Sequence, residues 1–154
     1  MDRAGFPGWN MNEFEKWCLK ILPDGFFFAI DSATGKLAAT AMACHNPTSL
    51  HPFGATLSCV AVDPLHRGKG LGYVVSAAVT QRLLHAGYQD IYLETDDWRL
   101  AAIKTYLNMG WVPFLYRHDM PARWKKIYAT LDLKYTPEPW NAHELTTESA
   151  NANH

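Results

Sequence analysis

The chain has 154 residues, 48% of them hydrophobic and 19% charged, and a formal net charge of −1. That length suits one domain with a buried core, and the composition is an ordinary globular balance rather than a disordered one. A charge this close to neutral argues against a generic binder of nucleic acid or of an anionic membrane, since both need a basic surplus.

No apolar run approaches the length of a membrane span, and Met1-Asp2-Arg3-Ala4-Gly5 lacks the apolar core of a signal peptide. Cys18, Cys44 and Cys59 form neither a disulfide framework nor a CxxC metal pair. The expectation is a cytoplasmic protein with reduced thiols and no metal.

In chain order, Phe14, Trp17, Cys18 and Ile21 recur at helical spacing. They predict an amphipathic helix over 12–22, stopped by Pro23. The run Phe26-Phe27-Phe28-Ala29-Ile30, the turn residues Ala33-Thr34-Gly35-Lys36 and the apolar stretch 37–44 predict a β-hairpin. Residues 46–53, rich in Pro, His and Ser, are a loop. Small and β-branched residues over 55–62 make a strand that stops at Asp63-Pro64.

From Gly70 the pattern changes to Leu71, Val74, Val75, Ala78, Val79 and Leu83, a core-facing helix closed by Gly87. A strand follows over 91–95. Asp96 or Asp97 can cap a helix that carries Leu100, Ile103, Tyr106 and Leu107 and ends at Gly110. Residues 112–116 predict another strand, and 121–131 a helix with Pro121 in its permitted first turn. Beyond Pro137 the chain turns polar and reads as a flexible tail. The expected organisation is one domain over 1–136 and a tail over 137–154. The element order describes an α/β fold with a mixed sheet, two of whose connections are long enough to be parallel crossovers.

The stretch Leu57-Ser58-Cys59-Val60-Ala61-Val62-Asp63-Pro64-Leu65-His66-Arg67-Gly68-Lys69-Gly70-Leu71-Gly72 is the informative one. A strand runs into a glycine-rich turn, and the turn opens a helix. The first amides of a helix have no internal partner and lie at the positive end of its dipole, so they face an anion favourably. Arg67 and Lys69 add charge, and the physics predicts a phosphate or pyrophosphate site. A P-loop is excluded because no GK[ST] triplet is present. A dinucleotide fingerprint is weakened because Tyr73 occupies the place of its third glycine, although Glu94 ends the next strand near the spacing of a ribose-binding carboxylate.

Arg67-Gly68-Lys69-Gly70-Leu71-Gly72 resembles the R/Q-x-x-G-x-G/A signature of the GNAT superfamily of acyl-CoA-dependent N-acyltransferases. So does the Val62-Asp63-Pro64 strand end before it. A second block, Ala102-Ile103-Lys104-Thr105-Tyr106-Leu107-Asn108-Met109-Gly110-Trp111, is similar to the family's A-I-x-x-Y-x-x-x-G-F segment. Asp96-Asp97-Trp98-Arg99-Leu100 before it resembles a subgroup with T-D-D-x-R-L there. The resemblance covers residues 55 to 114 and implies a GNAT-type mixed central sheet with flanking helices. One convincing helix stands where the family usually has a strand and two helices, so the N-terminal part reads as trimmed.

Acetyl-CoA is the co-substrate that the resemblance implies. The backbone of the strand through Val60, Ala61 and Val62 would bind pantetheine and supply an oxyanion donor. The amides of Arg67, Gly68, Lys69, Gly70, Leu71 and Gly72 would hold the pyrophosphate. Lys69 reads equally as a solvated surface lysine. Arg99, where most relatives carry Asn, either contacts the cofactor's phosphates or marks the subgroup.

Tyr106 matches the tyrosine that protonates the leaving CoA thiolate. Its other reading is a core aromatic sharing a face with Ile103. Glu94 ranks first as the base that takes the acceptor's proton, ahead of Thr95, Asp96 and His45, while His66 and His118 read as loop residues. The acceptor is an amine of unspecified identity. Trp9, Trp17, Phe26 to Phe28 and Trp124 read as buried core, or as an acceptor wall or homodimer face. The competing function is a non-catalytic acyl-CoA-binding or regulatory module.

Overall fold

Ala38 through Cys44 are all buried, and this run organises the first of two compact units, Met1–Glu94 and Thr95–His154. The structure, a computed structural model, describes residues 10–137. The first unit contains α1 (Met11–Cys18), β1 (Ile21–Ile30), β2 (Leu37–His45), β3 (Ala55–Val62), a 3-10 turn (Pro64–His66), α2 (Leu71–His85) and β4 (Ile91–Tyr92). The sheet order is β1-β2-β3-β4, antiparallel at the first two pairings and parallel at the last. The chain from β3 through α2 to β4 is therefore one parallel crossover.

A strand covered on both faces must be apolar throughout, and the alanines of β2 let its neighbours approach closely. Helix α2 packs over β1, β2 and β3. Its buried residues Val75, Ser76, Val79 and Leu83 follow the three- and four-residue steps of one helix face. Val79 and Leu83 are fully buried, each contributing on the order of 1.5–3 kcal/mol. A second cluster joins Met42, Cys44 and Cys59 to Phe14, Trp17, Ile21 and Phe26, so Trp17 and Phe26 belong to the core, whereas Phe28 is exposed.

Ser76 is fully buried and its hydroxyl has no hydrogen-bond partner among the described residues. A buried polar group left unpaired is destabilising. Ser76→Ala is therefore expected to raise the unfolding free energy by about 1 kcal/mol. Urea denaturation checks this, and a loss of stability would show that the hydroxyl has a partner in solution.

The first helix ends earlier than its pattern predicts. Ile21 pairs with Cys44, and the Lys20 carbonyl accepts the His45 N–H at 2.8 Å, so sheet pairing outcompetes helical propensity after Cys18. Strand β1 then bulges. Ile21 and Phe26 are five positions apart while their partners Cys44 and Met42 are two apart. Gly25 sits inside this irregularity, where an added Cβ would lie 2.7 Å from the Leu22 carbonyl oxygen and 2.8 Å from that of Ala43. Only glycine fits there. The predicted hairpin forms, but the strand predicted over 91–95 shortens to Ile91–Tyr92.

The second unit contains α3 (Leu100–Asn108) and α4 (Met120–Thr130). Helix α4 matches its prediction, with Pro121 in the first turn. The strand predicted over 112–116 does not form. Pro113 has no N–H to donate to a ladder, and the segment contributes a side chain instead: Leu115 is buried with Tyr128 of α4 among Leu107, Met120, Trp124, Leu133 and Tyr135. The second predicted crossover is accordingly absent among the described residues.

Neither Asp96 nor Asp97 caps α3, whose N-cap residue is Arg99 and makes no side-chain capping bond to the helix. Asp96 instead accepts from Arg99 Nε at 3.0 Å. Asp97 grips the guanidinium fork of Arg123 at 2.7 and 2.9 Å, and the fork's hydrogen bonds hold its carboxyl below the usual range. The trimmed N-terminal part and the tail over 137–154 fall largely on residues 1–9 and 138–154, outside the described residues. No helix among the described residues is long and apolar enough to cross a membrane.

Candidate active site

The β2–β3 register contains one extra residue on β3. Thr40 pairs with Ala61 and Met42 with Ser58, so two residues of β3, Cys59 and Val60, stand opposite one of β2. This is a β-bulge. Cys59 has φ 52°, a left-handed conformation that costs a non-glycine residue roughly 1–2 kcal/mol. Its carbonyl accepts a hydrogen bond from the buried Thr40 hydroxyl at 3.1 Å, worth about 0.5–1.5 kcal/mol net. The two magnitudes are comparable, so the bond is large enough to help hold the bulge.

The β3–β4 ladder has only two pairs, Ala55 with Ile91 and Thr56 with Tyr92. Beyond Thr56 the two parallel strands no longer pair. The bulged residues Cys59 and Val60, and then Ala61 and Val62, follow on the unpaired stretch.

At its C-terminal end β3 passes into the cradle. The Asp63 N–H donates to the Ala38 carbonyl at 2.8 Å, and Asp63 Oδ1 accepts from the Leu65 N–H at 2.9 Å, fixing the 3-10 turn. His66 Nε2 lies 3.2 Å from Asp31 Oδ2, and Nδ1 lies 3.6 Å from Asp63 Oδ1. Asp31 is itself set by the hairpin turn: its carboxylate accepts from the Ala33 N–H and the Thr34 hydroxyl. The Ala33 N–H, then His66 and Thr34, hold the Asp31 carboxyl below its ordinary pKa. The residue before Arg67 is thus tied to the β1–β2 turn. In the sequence His66 has the look of a plain loop residue, and nothing local signals its partner 35 positions away.

Gly68 and Gly70 both have φ 76°, and a Cβ at either would meet no protein atom within 4 Å. The left-handed backbone at two glycines turns the chain into α2, and the space beside them is open. Gly70 is the N-cap of α2, with no side chain capping it and no acidic residue in the first turn. The helix bonds begin with Val74 N–H to the Gly70 carbonyl, which leaves the amides of Leu71, Gly72 and Tyr73 ahead of the ladder. A Cβ at Gly72 would sit 3.6 Å from Val62 Cγ2, so α2 runs close beside the end of β3. Arg67 and Lys69 are exposed, and neither forms an ion pair among the described residues. An uncapped helix N-terminus, open glycines and two available cations fit a pyrophosphate well.

Glu94 is exposed, two residues beyond the end of β4. His45 pairs with Ala55 at the start of β3, roughly 20 Å from the Val62 end at about 3.3 Å per residue. Its ring nitrogen faces the Tyr88 hydroxyl at 2.9 Å. His45 therefore stands at the opposite end of β3 from the cradle.

In the second unit Tyr106 is partly buried on the Ile103 face of α3. Burial pushes its phenol pKa up, opposed by the Arg99 charge, so it stays protonated through the neutral range. Arg99 stacks over the Trp98 ring at 4.7 Å in addition to its Asp96 contact. Cys59 is buried and burial raises its thiol, with the Ser58 hydrogen bond opposing; burial takes Cys44 up to about 12. Neither thiol is poised as a nucleophile. Among the described residues no group of three or more His, Cys, Asp or Glu is arranged to hold a metal.

A bulged strand running through a glycine-rich turn into an uncapped helix gives this α/β domain an end whose geometry and charge suit a phosphorylated ligand. The profile of the acetyltransferase (GNAT) family matches residues 2–111, and the chain belongs to that family. The mycothiol acetyltransferase of Thermobifida fusca (strain YX) is 30% identical over 97 residues, 57% of this chain and 28% of the relative. The chain thus matches under a third of that relative's length.

The crystal structure of the ribosomal-protein-S18-alanine N-acetyltransferase from Escherichia coli shares 26% identity. Its TM-score is 0.53, with 71% of this chain and 64% of that chain covered. A NatC complex bound to a Gag peptide and CoA shares the fold at a TM-score of 0.62 and 18% identity, covering 76% of this chain and 78% of that one.

Proposed function

We propose that the chain transfers an acetyl group from acetyl-CoA to a primary amine by direct attack in a ternary complex. The observation that carries this reading is the continuity of the bulged strand β3 with the open cradle. One segment offers backbone donors for a thioester and a pyrophosphate site a short distance along the same chain.

In this reading the β3 backbone from Val60 to Val62 binds the pantetheine arm, and the amides from Arg67 to Gly72 hold the pyrophosphate. Lys69 adds charge to that cradle, and Arg99 adds charge near the cofactor. A backbone N–H of the bulge stabilises the oxyanion that develops on the thioester carbonyl. The amine nitrogen bonds to that carbon as the C–S bond breaks. Tyr106 gives its phenolic proton to the departing thiolate, and Glu94 takes the proton lost by the amine.

The test is release of free CoA thiol with acetyl-CoA and a panel of amines, amino acids and N-terminal peptides. Amine-dependent release with an equal yield of N-acetyl product supports transfer. Acetyl-CoA binding with no release for any acceptor would leave a non-catalytic acyl-CoA-binding module.

The role of Glu94 has its own test, because an acceptor's amine pKa produces the same pH limb as a base on the enzyme. Glu94→Gln is expected to lower kcat/KM at neutral pH by at least tenfold, in line with the value of a general base. A pH limb that follows the acceptor's amine pKa and survives Glu94→Gln with little loss would remove Glu94 from the proton route.

A further inference from the structure

The trans peptide between Cys59 and Val60 links two atoms that point in opposite directions, the Cys59 carbonyl oxygen and the Val60 N–H. The Thr40 hydroxyl donates to that oxygen at 3.1 Å from the neighbouring strand β2. The Val60 N–H is therefore turned away from Thr40, on the stretch of β3 past Thr56 where the ladder to β4 has ended. Cys59 holds this plane with φ 52°, a conformation it would leave for the ordinary β region if the carbonyl lost its partner.

Thr40 is 5% exposed and Cys59 7%, so water does not readily replace the bond. Thr40 is also the hydroxyl in a strand otherwise made of Leu37, Ala38, Ala39, Ala41, Met42, Ala43, Cys44 and His45. Strand propensity favours a β-branched residue there, but valine would serve it as well, and core packing does not ask for a hydroxyl.

From this geometry we infer that Thr40 is a positioning residue for acetyl transfer: its hydroxyl fixes the Cys59–Val60 peptide plane, and thereby aims the Val60 N–H at the thioester oxygen. The inference rests on the acetyltransferase reading above. Thr40 touches neither acetyl-CoA nor acceptor and acts only through the plane it holds. Its loss should therefore weaken stabilisation of the transition state while leaving the pyrophosphate cradle intact.

The experiment compares Thr40→Val and Thr40→Ala, which lack the hydroxyl, with Thr40→Ser, which keeps it. Thr40→Ala adds one more alanine to an alanine-rich strand, so a folded hydroxyl-free variant is available even if Thr40→Val does not fold. Each protein is titrated with acetyl-CoA and with CoA while the Val60 amide is followed by NMR. Turnover is measured with the best amine of the panel.

In the parent and Thr40→Ser, acetyl-CoA is expected to shift the Val60 amide beyond the shift given by CoA. In Thr40→Val and Thr40→Ala that difference disappears, kcat falls at least tenfold against a ceiling of about 10²–10³ for losing an oxyanion donor outright, and KM for acetyl-CoA stays within about twofold. A Val60 response in Thr40→Ala equal to the parent's overturns the inference alone. A parent that binds no acetyl-CoA overturns the acetyltransferase reading and the inference with it.

Discussion

Tyr106→Phe is expected to lower kcat about a hundredfold, the lower end of what a positioned general acid contributes, with KM for acetyl-CoA unchanged within about twofold. Only the departing thiolate requires the phenolic proton, so ground-state binding is spared. The pH profile carries a second signature. Burial raises the phenol's pKa, with Arg99 opposing, so the acid form persists past the ordinary phenol value of about 10. Turnover in the parent should therefore hold through neutral pH and fall as pH rises through that raised value, a limb that vanishes in the variant. Single-turnover measurements isolate the chemical step from product release. An unchanged single-turnover rate would make Tyr106 a packing residue beside Ile103.

Gly70→Val should weaken acetyl-CoA binding about a hundredfold, the equivalent of one or two hydrogen bonds to a charged group at about 1.5–3 kcal/mol each. The position has φ 76° and open space beside it. A β-carbon there meets no protein atom among the described residues, and the side chain it carries would occupy the volume proposed for the pyrophosphate. The left-handed backbone costs valine roughly 1–2 kcal/mol of stability, which lowers Tm by several degrees.

Gly87→Val is the matched control. It has φ 86°, equally open space, and a place at the far end of α2. It should lose similar stability and keep full affinity. Calorimetric titration of both variants checks the pair, and equal affinities would detach Gly70 from the ligand.

The sequence was most legible where local chemistry and periodicity agree. Asp63-Pro64 ends β3, the glycines at 68 and 70 turn the chain, and Val75, Val79 and Leu83 repeat along α2, so this strand, turn and helix could be placed by reading alone. The bulge could not. Ser58-Cys59-Val60-Ala61 is an ordinary strand sequence, and the extra residue shows only in the register against Thr40 and Met42.

Long-range pairings were equally hidden. Asp97 looks like a helix cap, yet its partner is Arg123, 26 residues on. His66 finds Asp31 across two strands. Residues 112–116 have the composition of a strand, but Pro113 and a set of aromatic neighbours make side-chain packing their better outcome. Competition between local propensity and tertiary partners decided each of these, and a single chain displays only the first.

In the proposed function the β3 backbone and the α2 N-terminus hold the two ends of one acyl-CoA. Amide NMR of the labelled protein during titration with acetyl-CoA, CoA and acetylated pantetheine tests it most directly. Acetyl-CoA should shift the amides from Val60 to Val62 together with those of Gly70, Leu71, Gly72 and Tyr73. Acetylated pantetheine, which lacks the pyrophosphate, should move only the first group. Shifts that leave residues 70 to 73 unmoved by acetyl-CoA would contradict the account.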